Sequence, residues 1–332
     1  MELCGIINFG GNVMKKKLLV ILIMAFLTIN LSGCVNEKAT ITTTVYAVKY
    51  LVEQIAGDKV DVEYISTNEY IQTSKIVKNY DEILSKTTLF LYINELEPYL
   101  DVYQDLFDNY NCEVIDLANL SAIYNFKRYT KVITDNGVTF KESDYYEEES
   151  FQYVDLYTKD PFIWLDPIAM SSMASTIKQW LINYYPEDTL TFESNFKELQ
   201  TTLIRMDAEY QSLRELDDVK FITVTPCFGN WQKLYGVELY PLVVSKYGVL
   251  PTKEQLDFIK HEIKESGVKY IVYDDTLPEQ YLELYNQIKN ELKLEVIELS
   301  SLSILSSDDI EKNKDYITIM YENLTALENA FK

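Results

Sequence analysis

The sequence predicts an α/β protein of two lobes, each a mostly parallel sheet flanked by helices. Three observations support this. Short β-rich segments alternate with helically spaced apolar residues in both halves, a long amphipathic segment separates the halves, and 332 residues suffice for a substantial core. With 47% hydrophobic and 25% charged residues, the composition is that of a folded globular protein.

The amino terminus has the pattern of an export signal. Three lysines at positions 15–17 precede an apolar stretch from Leu18 to Ile29. That stretch suits a signal-peptide core and is short of the roughly 20 residues that span a membrane. Residues 1–33 are therefore predicted to be a signal peptide, with Met14 as an alternative start because the preceding residues carry no such pattern. The alternative interpretation is a short anchoring helix.

Cys34 follows Leu31-Ser32-Gly33, an order that resembles the bacterial lipobox, in which the cysteine receives diacylglycerol. This resemblance implies an extracytoplasmic protein anchored to the cell membrane by a lipid on Cys34, with residues 34–40 as its tether. Cys112 and Cys227 would remain. They could pair outside the cell, but two separate thiols are favoured because no disulfide pattern is visible.

The N-terminal lobe is predicted over residues 41–186. Its strands are expected at 41–46, 60–65, 89–93 and 114–117, and its helices at 48–56 and 81–86. The alternation stops between residues 124 and 160, which are expected to be a loop. The acidic, tyrosine-rich run at 142–150 favours a solvated surface segment. The alternative is a loop that collects cations, because clustered carboxylates suit hard ions such as calcium.

Residues 187–215 are predicted to form one linking helix, roughly 43 Å long, because apolar residues recur there at spacings of three and four. Packing against both lobes is favoured over coiled-coil pairing, since the repeats are few. The C-terminal lobe is predicted over residues 216–332. Its strands are expected at 219–224, 242–245, 268–273 and 294–299, and its helices at 228–235, 251–266, 279–292 and 315–331.

Charge and composition exclude several classes of function. The formal net charge of −22 opposes binding to nucleic acid. A single histidine excludes a histidine-rich metal cluster and catalysis that needs two histidines. No nucleophile elbow, phosphate-binding glycine loop or histidine acid/base pair is found, so an enzyme is not predicted. Two α/β lobes joined by a helix are typical of proteins that hold a ligand in the cleft between them.

The segment Asp160-Pro161-Phe162-Ile163-Trp164-Leu165-Asp166-Pro167 is the most specific of several motifs spread over residues 41–331. These motifs resemble those of the zinc- and manganese-type solute-binding lipoproteins of bacterial metal ABC transporters, which have histidine at position 162. Residues 96–100 resemble the family's leucine-glutamate-x-tryptophan-leucine element, and residues 55–60, 228–236 and 268–274 are similar to other family segments. The resemblance implies a class III-like solute-binding protein with a rigid linking helix. It also implies a monomer that works with ABC permease and ATPase subunits.

Carried over position by position, the family's metal ligands are substituted in this chain. They fall on Thr73, Phe162, Thr225 and Ser300 or Ser301. A phenyl ring has no lone pair to give to zinc, and neutral hydroxyls are poor ligands for a transition metal. The resemblance therefore implies no metal site at the family positions. The cleft is expected to be lined by Thr73, Phe162, Thr225, Asp274 and Ser300.

A different cation site is the remaining metal hypothesis. Asp274, Asp275, Glu69 and Cys227 fall near segments that face the cleft by the resemblance, and oxygen ligands suit manganese, magnesium or calcium. The favoured alternative is that the two aspartates cap the following turn. No cofactor is predicted beyond such a divalent cation, and His261 is expected to be an exposed helix residue.

The sequence thus predicts a lipid-anchored, extracytoplasmic solute-binding protein of a metal-type (zinc or manganese) ABC transporter, diverged at its metal site. The alternative is a non-transport surface lipoprotein that serves in adhesion or protein interaction on the same scaffold. The presence or absence of an associated permease and ATPase would separate the two.

Overall fold

The N-terminal lobe is built on a parallel sheet of four strands. Strands β1 to β4 are, in order, Thr40–Thr43, Asp61–Tyr64, Thr87–Tyr92 and Glu113–Asp116. Their spatial order is β2-β1-β3-β4, and every neighbouring pair is parallel. The two central strands are covered on both faces, and Ile41, Leu89 and Leu91 are completely buried. The computed structural model describes residues 38–67, 69–121, 123–134 and 137–332.

The C-terminal lobe repeats this arrangement. Its strands β7 to β10 are Lys220–Thr223, Glu238–Pro241, Tyr270–Tyr273 and Glu295–Glu298, in the spatial order β10-β9-β7-β8 and again all parallel. The predicted fold class, two α/β lobes with parallel sheets, is confirmed. The strand predicted at residues 242–245 is wrong, because the sheet pairs at 238–241 and the apolar residues that follow are buried as a loop at its carboxyl edge.

Ten helices surround the sheets in the described part of the chain. Helices α1 to α10 are Tyr46–Ala56, Tyr80–Lys86, Pro98–Tyr103, Pro167–Tyr184, Thr189–Tyr210, Gly229–Tyr235, Lys253–Glu265, Glu279–Leu292, Ser307–Glu311 and Tyr316–Phe331. Six of them lie close to predicted helices, and α8 matches its predicted bounds, whereas α3, α4 and α9 were not predicted. None of these helices has both the length and the apolar character needed to cross a bilayer. The predicted signal peptide and Cys34 lie outside the described residues.

The segment predicted as one helix over 187–215 is shorter as an α-helix. Helix α5 covers Thr189–Tyr210, about 33 Å, and 3-10 turns at Pro186–Asp188 and Gln211–Glu215 flank it. Its apolar stripe packs on α1 and α4. At its carboxyl end the Tyr210 hydroxyl donates to the Met320 carbonyl at 2.6 Å, which ties the helix to the C-terminal lobe. The helix therefore contacts both lobes.

The expected loop over 124–160 contains an antiparallel hairpin. Strand β5 is Arg128–Thr134 and strand β6 is Gly137–Ser143. The loop prediction was wrong because the hairpin is largely exposed and lacks the apolar run of a core strand. Its sequence signal was the pair Asn136-Gly137, which is typical of β-hairpin connections.

The acidic run is solvated at its carboxylates but not at its tyrosines. Asp144, Glu147 and Glu149 are exposed, whereas Tyr145 and Tyr146 are buried. The Tyr146 hydroxyl donates to the Pro241 carbonyl at 2.6 Å at the end of β8. The run is thus anchored on the C-terminal lobe by its aromatic side chains.

Candidate functional site between the lobes

The candidate site lies where the carboxyl edges of the two sheets face each other. The segment after β2 carries Tyr70, and the segment after β7 carries Thr225. Their hydroxyls share a hydrogen bond of 2.7 Å that joins the two lobes. Tyr70 is 3% exposed, and its ring packs edge-on against Tyr281, with 6.0 Å between the ring centroids. The position between the lobes is therefore closed by a direct contact.

Tyr70 is surrounded by buried hydroxyl and thiol groups and by the carboxyl group of Asp274. Burial, followed by the charges of Cys227 and Asp274, raises the pKa of Tyr70 well above its ordinary value. Burial likewise raises the pKa of the Cys227 thiol far above its usual range. The hydroxyls of Thr225 and Ser301 have the opposite effect and lower the pKa of Tyr70. This cluster offers hydrogen-bond donors and acceptors, and no thiolate or phenolate at neutral pH.

Both carboxylate oxygens of Asp274 accept hydrogen bonds from residues that follow it in the chain. Its Oδ1 accepts from the Thr276 amide at 3.0 Å and from the Thr276 hydroxyl at 2.6 Å. Its Oδ2 accepts from the Ser301 amide at 3.0 Å. The carboxylate thus caps the turn after β9 and holds the turn after β10, which is the structural role that the sequence favoured.

Phe162 sits in an aromatic cluster. It is 1% exposed, and its ring lies edge-on to Tyr157 and Trp164 at centroid distances of 5.7 and 5.5 Å. The segment around it is fastened to the C-terminal lobe, since Trp164 Nε1 donates to the Ser301 carbonyl at 2.9 Å and Asn230 donates to the Phe162 carbonyl at 3.1 Å. An apolar ring therefore fills the position that the family resemblance assigns to a histidine.

Two buried carboxyl groups flank Phe162 along the chain. Asp160 accepts from the Phe162 amide at 3.0 Å, and burial raises its pKa to about 7. Asp166 is the N-cap of α4 and accepts from the amides of Ile168 and Ala169 at 2.8 and 3.2 Å. Burial raises the pKa of Asp166 to about 6, against the effect of those two amides.

The remaining predicted site residues lie elsewhere. The Thr73 hydroxyl donates to the Tyr70 carbonyl at 2.8 Å within its own turn, so Tyr70 and not Thr73 reaches the opposite lobe. Ser300 pairs with Asn323 of α10 and lines a separate cavity that also contains Asp275. Glu69 and His261 are exposed. Across the described ranges, no three histidine, cysteine or acidic side chains are grouped so that they could hold a metal ion.

Sequence reasoning missed Tyr70 and Tyr157 as contacts that close the site, and it gave Ser301 only as the alternative to Ser300. Tyr70 lies in a segment without the family's proline-rich pattern, so its register could not be fixed by resemblance. Ser301 was the second choice for the family's acidic position, and a one-residue step decides which of two serines faces the cleft. Cys112 and Cys227 are both free, in agreement with two separate thiols.

Comparison with known proteins decides the family. Residues 41–330 match the family model described as ZnuA, zinc-uptake complex component A, periplasmic. The chain belongs to this family. This confirms the family resemblance drawn from the motifs.

Individual relatives are distant but cover most of this chain. The zinc-binding lipoprotein AdcA of Streptococcus pneumoniae is 23% identical over 327 residues, 95% of this chain and 61% of the relative. The chain thus spans about three-fifths of that relative. The high-affinity zinc uptake system protein ZnuA of Bacillus subtilis is 23% identical over 304 residues, covering 89% of this chain and 88% of the relative.

A solved structure shows the same fold. The laminin-binding protein Lmb of Streptococcus agalactiae, described as bifunctional with adhesin and metal transporting activity, superimposes with a TM-score of 0.66 at 18% identity. The match covers 88% of this chain and 98% of that protein.

Proposed function

We propose that this protein is a lipid-anchored, extracytoplasmic solute-binding protein of a metal-type ABC transporter and a diverged member of its family without the histidine zinc site. It would act as a monomer and deliver its solute to ABC permease and ATPase subunits. The family match supports the role in uptake, and the relative from Streptococcus pneumoniae is itself named a zinc-binding lipoprotein.

One observation supports the proposal that the site has diverged from a zinc site. The hydroxyls of Tyr70 and Thr225 share a hydrogen bond of 2.7 Å between the lobes. Zinc in proteins takes nitrogen, thiolate or carboxylate donors at about 2.0–2.3 Å. The neighbouring Cys227 thiol is held protonated by burial, and Asp274 already accepts three hydrogen bonds. This donor set does not fit zinc, and it favours a small polar solute that exchanges hydrogen bonds with hydroxyl groups.

Calorimetric titration of the metal-stripped mature chain with Zn²⁺ tests this conclusion. We expect no submicromolar binding. His261→Ala serves as the control, because it removes the exposed and only histidine and so any surface zinc bound there. A submicromolar affinity that survives His261→Ala but is lost in Thr225→Ala or Asp274→Asn would contradict the proposal.

Fractionation of cells tests the anchor separately. We expect Cys34→Ala to move the protein from the membrane fraction to the soluble extracytoplasmic fraction. Cys4→Ala is the matched control, because this cysteine lies in the segment that the signal peptidase would remove. Membrane retention of the Cys34→Ala protein would point to another anchor.

Adhesion is the second candidate function. It is favoured by the fold match to Lmb and by the exposed apolar and acidic side chains of the segment 144–156, among which Tyr153 is 88% exposed. Affinity purification from membranes separates the two functions. Co-purification of a permease and an ATPase supports transport, whereas binding of the mature chain to immobilised laminin without them supports adhesion.

A further inference from the structure

A buried carboxyl group in the N-terminal lobe makes no hydrogen bond of ordinary geometry. Glu97 is 2% exposed, and neither of its carboxylate oxygens makes a hydrogen bond. No lysine or arginine is among the groups that influence it. Burial raises the pKa of Glu97 to about 8, and the Thr44 hydroxyl opposes this without reaching hydrogen-bond geometry. Buried polar groups are normally paired, so this one calls for an explanation.

Other unpartnered polar atoms lie around it. The buried hydroxyls of Thr44 and Tyr99 both lie near Glu97, and neither reaches a partner at ordinary hydrogen-bond geometry, although the Tyr99 hydroxyl also faces Ser66. The Tyr157 hydroxyl, which donates to the Lys246 carbonyl at 3.4 Å, lies near Glu97 and Gln72. Both amide atoms of Gln72 are buried and reach no partner at ordinary hydrogen-bond geometry. We call the surroundings of Thr44, Gln72, Glu97, Tyr99 and Tyr157 the polar chamber.

The position of the polar chamber is one at which α/β folds bind ligands. Thr44 directly follows β1, and Glu97 lies shortly after β3, so both stand outside the carboxyl ends of adjacent parallel strands. Gln72 approaches the loop at Gly248 of the opposite lobe, since a Cβ added to Gly248 would lie 2.8 Å from the Gln72 Cβ. The chamber therefore borders the cleft between the lobes.

The chemical types of the unpartnered atoms indicate which ligand charge would fit among them. Glu97, Thr44, Tyr99 and Gln72 together present five such oxygens and one nitrogen. An oxygen-rich set with one carboxylate neutralises one positive charge. A buried divalent ion would keep an uncompensated charge there, and zinc would lack nitrogen or sulfur donors.

We propose that the polar chamber binds a small monovalent cation, an alkali-metal ion or ammonium, through the carboxylate of Glu97 and the hydroxyl and amide oxygens around it. This site is separate from the Tyr70–Thr225 contact. It does not depend on delivery of a solute to a permease, so the two proposals can fail independently.

The test is thermal unfolding of the mature chain at pH 8.5 in choline chloride, with KCl, NaCl or NH₄Cl replacing choline at constant ionic strength. A ligand bound only by the folded state raises the unfolding midpoint in a saturable way. We expect such a rise for at least one of the three ions. The identity of that ion separates an alkali-metal site from an ammonium site.

Variants locate the effect. We expect Glu97→Gln to lower the cation affinity at least tenfold, and Glu69→Gln, which alters an exposed carboxylate, to leave it unchanged. If Glu97→Gln does not fold, Thr44→Val removes one ligand oxygen and is expected to weaken binding severalfold. The proposal would be overturned by equal unfolding midpoints in all four salts, or by a cation affinity that Glu97→Gln or Thr44→Val leaves unchanged. A midpoint that rises only when CaCl₂ is added would also overturn it.

Discussion

Stability is expected to fall as the pH rises from 5 to 7, and Asp160 provides the clearest test. Burial raises the pKa of this carboxyl group from 3.8 to about 7, so the folded state keeps a proton that the unfolded chain releases near pH 4. Between these two values the folded state binds more protons than the unfolded state. By linkage, the free energy of unfolding then decreases with pH across this window and levels off above pH 7.

The magnitude follows from the two pKa values. Each pH unit inside the window costs the folded state up to about 1.4 kcal/mol. From pH 5 to pH 7, Asp160 alone is expected to lower the free energy of unfolding by about 2–3 kcal/mol. Glu97 and Asp166, whose pKa values burial raises to about 8 and about 6, act in the same direction. Only a difference between variants isolates one group.

Asp160→Asn makes that comparison. Asparagine keeps the oxygen that accepts from the Phe162 amide and cannot ionise, so the variant should lose about 2–3 kcal/mol of the pH dependence. Urea unfolding followed by tryptophan fluorescence at pH 5 and pH 7 measures it. Asp155→Asn, at an exposed position, is the matched control and should behave as the parent. A pH dependence in Asp160→Asn equal to that of the parent would refute the reasoning.

Three further predictions concern stability at one pH, measured by urea unfolding. Tyr70→Phe removes the hydrogen bond between the lobes and should cost about 1 kcal/mol. The exposed control Tyr153→Phe should cost nothing measurable, and equal losses in the two would contradict the assignment. Gly229→Ala places a Cβ 2.0 Å from Asp160 Oδ2, so about 1–3 kcal/mol should be lost; an unchanged midpoint would mean that the contact relaxes freely. Asp166→Ala removes the N-cap of α4 and should cost about 1 kcal/mol, while Asp166→Asn should retain most of it.

Most of the fold could be predicted because its signals are local. Helices α7 and α8 have regular apolar spacing and, in α7, a capping box formed by Thr252 and Gln255, and these features depend only on nearby sequence. The strand corresponding to β8 was predicted at residues 242–245 because those residues are mostly apolar. They are apolar because they are buried in a loop, whereas the strand itself pairs at residues 238–241. The prediction made helix α5 too long, because a 3-10 turn keeps almost the same spacing of apolar residues as an α-helix.

The candidate site was less predictable, because it depends on contacts between distant parts of the chain. Phe162 could be placed, since matching residues flank it on both sides. The Tyr70–Thr225 pair joins positions 155 residues apart and has no motif of its own. The polar chamber could not be predicted from the sequence, because Glu97 stands directly before α3 and its neighbours in the sequence do not show that it is buried without a hydrogen bond.

The octet at residues 160–167 explains how the family could be recognised although position 162 carries phenylalanine in place of histidine. Trp164 bonds to the turn at Ser301, Asp166 caps α4, and Asp160 holds the backbone at residue 162. Each of these groups supports the fold and would be needed with or without a metal. The side chain of Phe162 makes only ring contacts, so an aromatic residue can occupy this position without loss of those hydrogen bonds. A motif match here therefore establishes the scaffold, and under the proposed function we expect the residue at position 162 to determine separately whether that scaffold binds zinc.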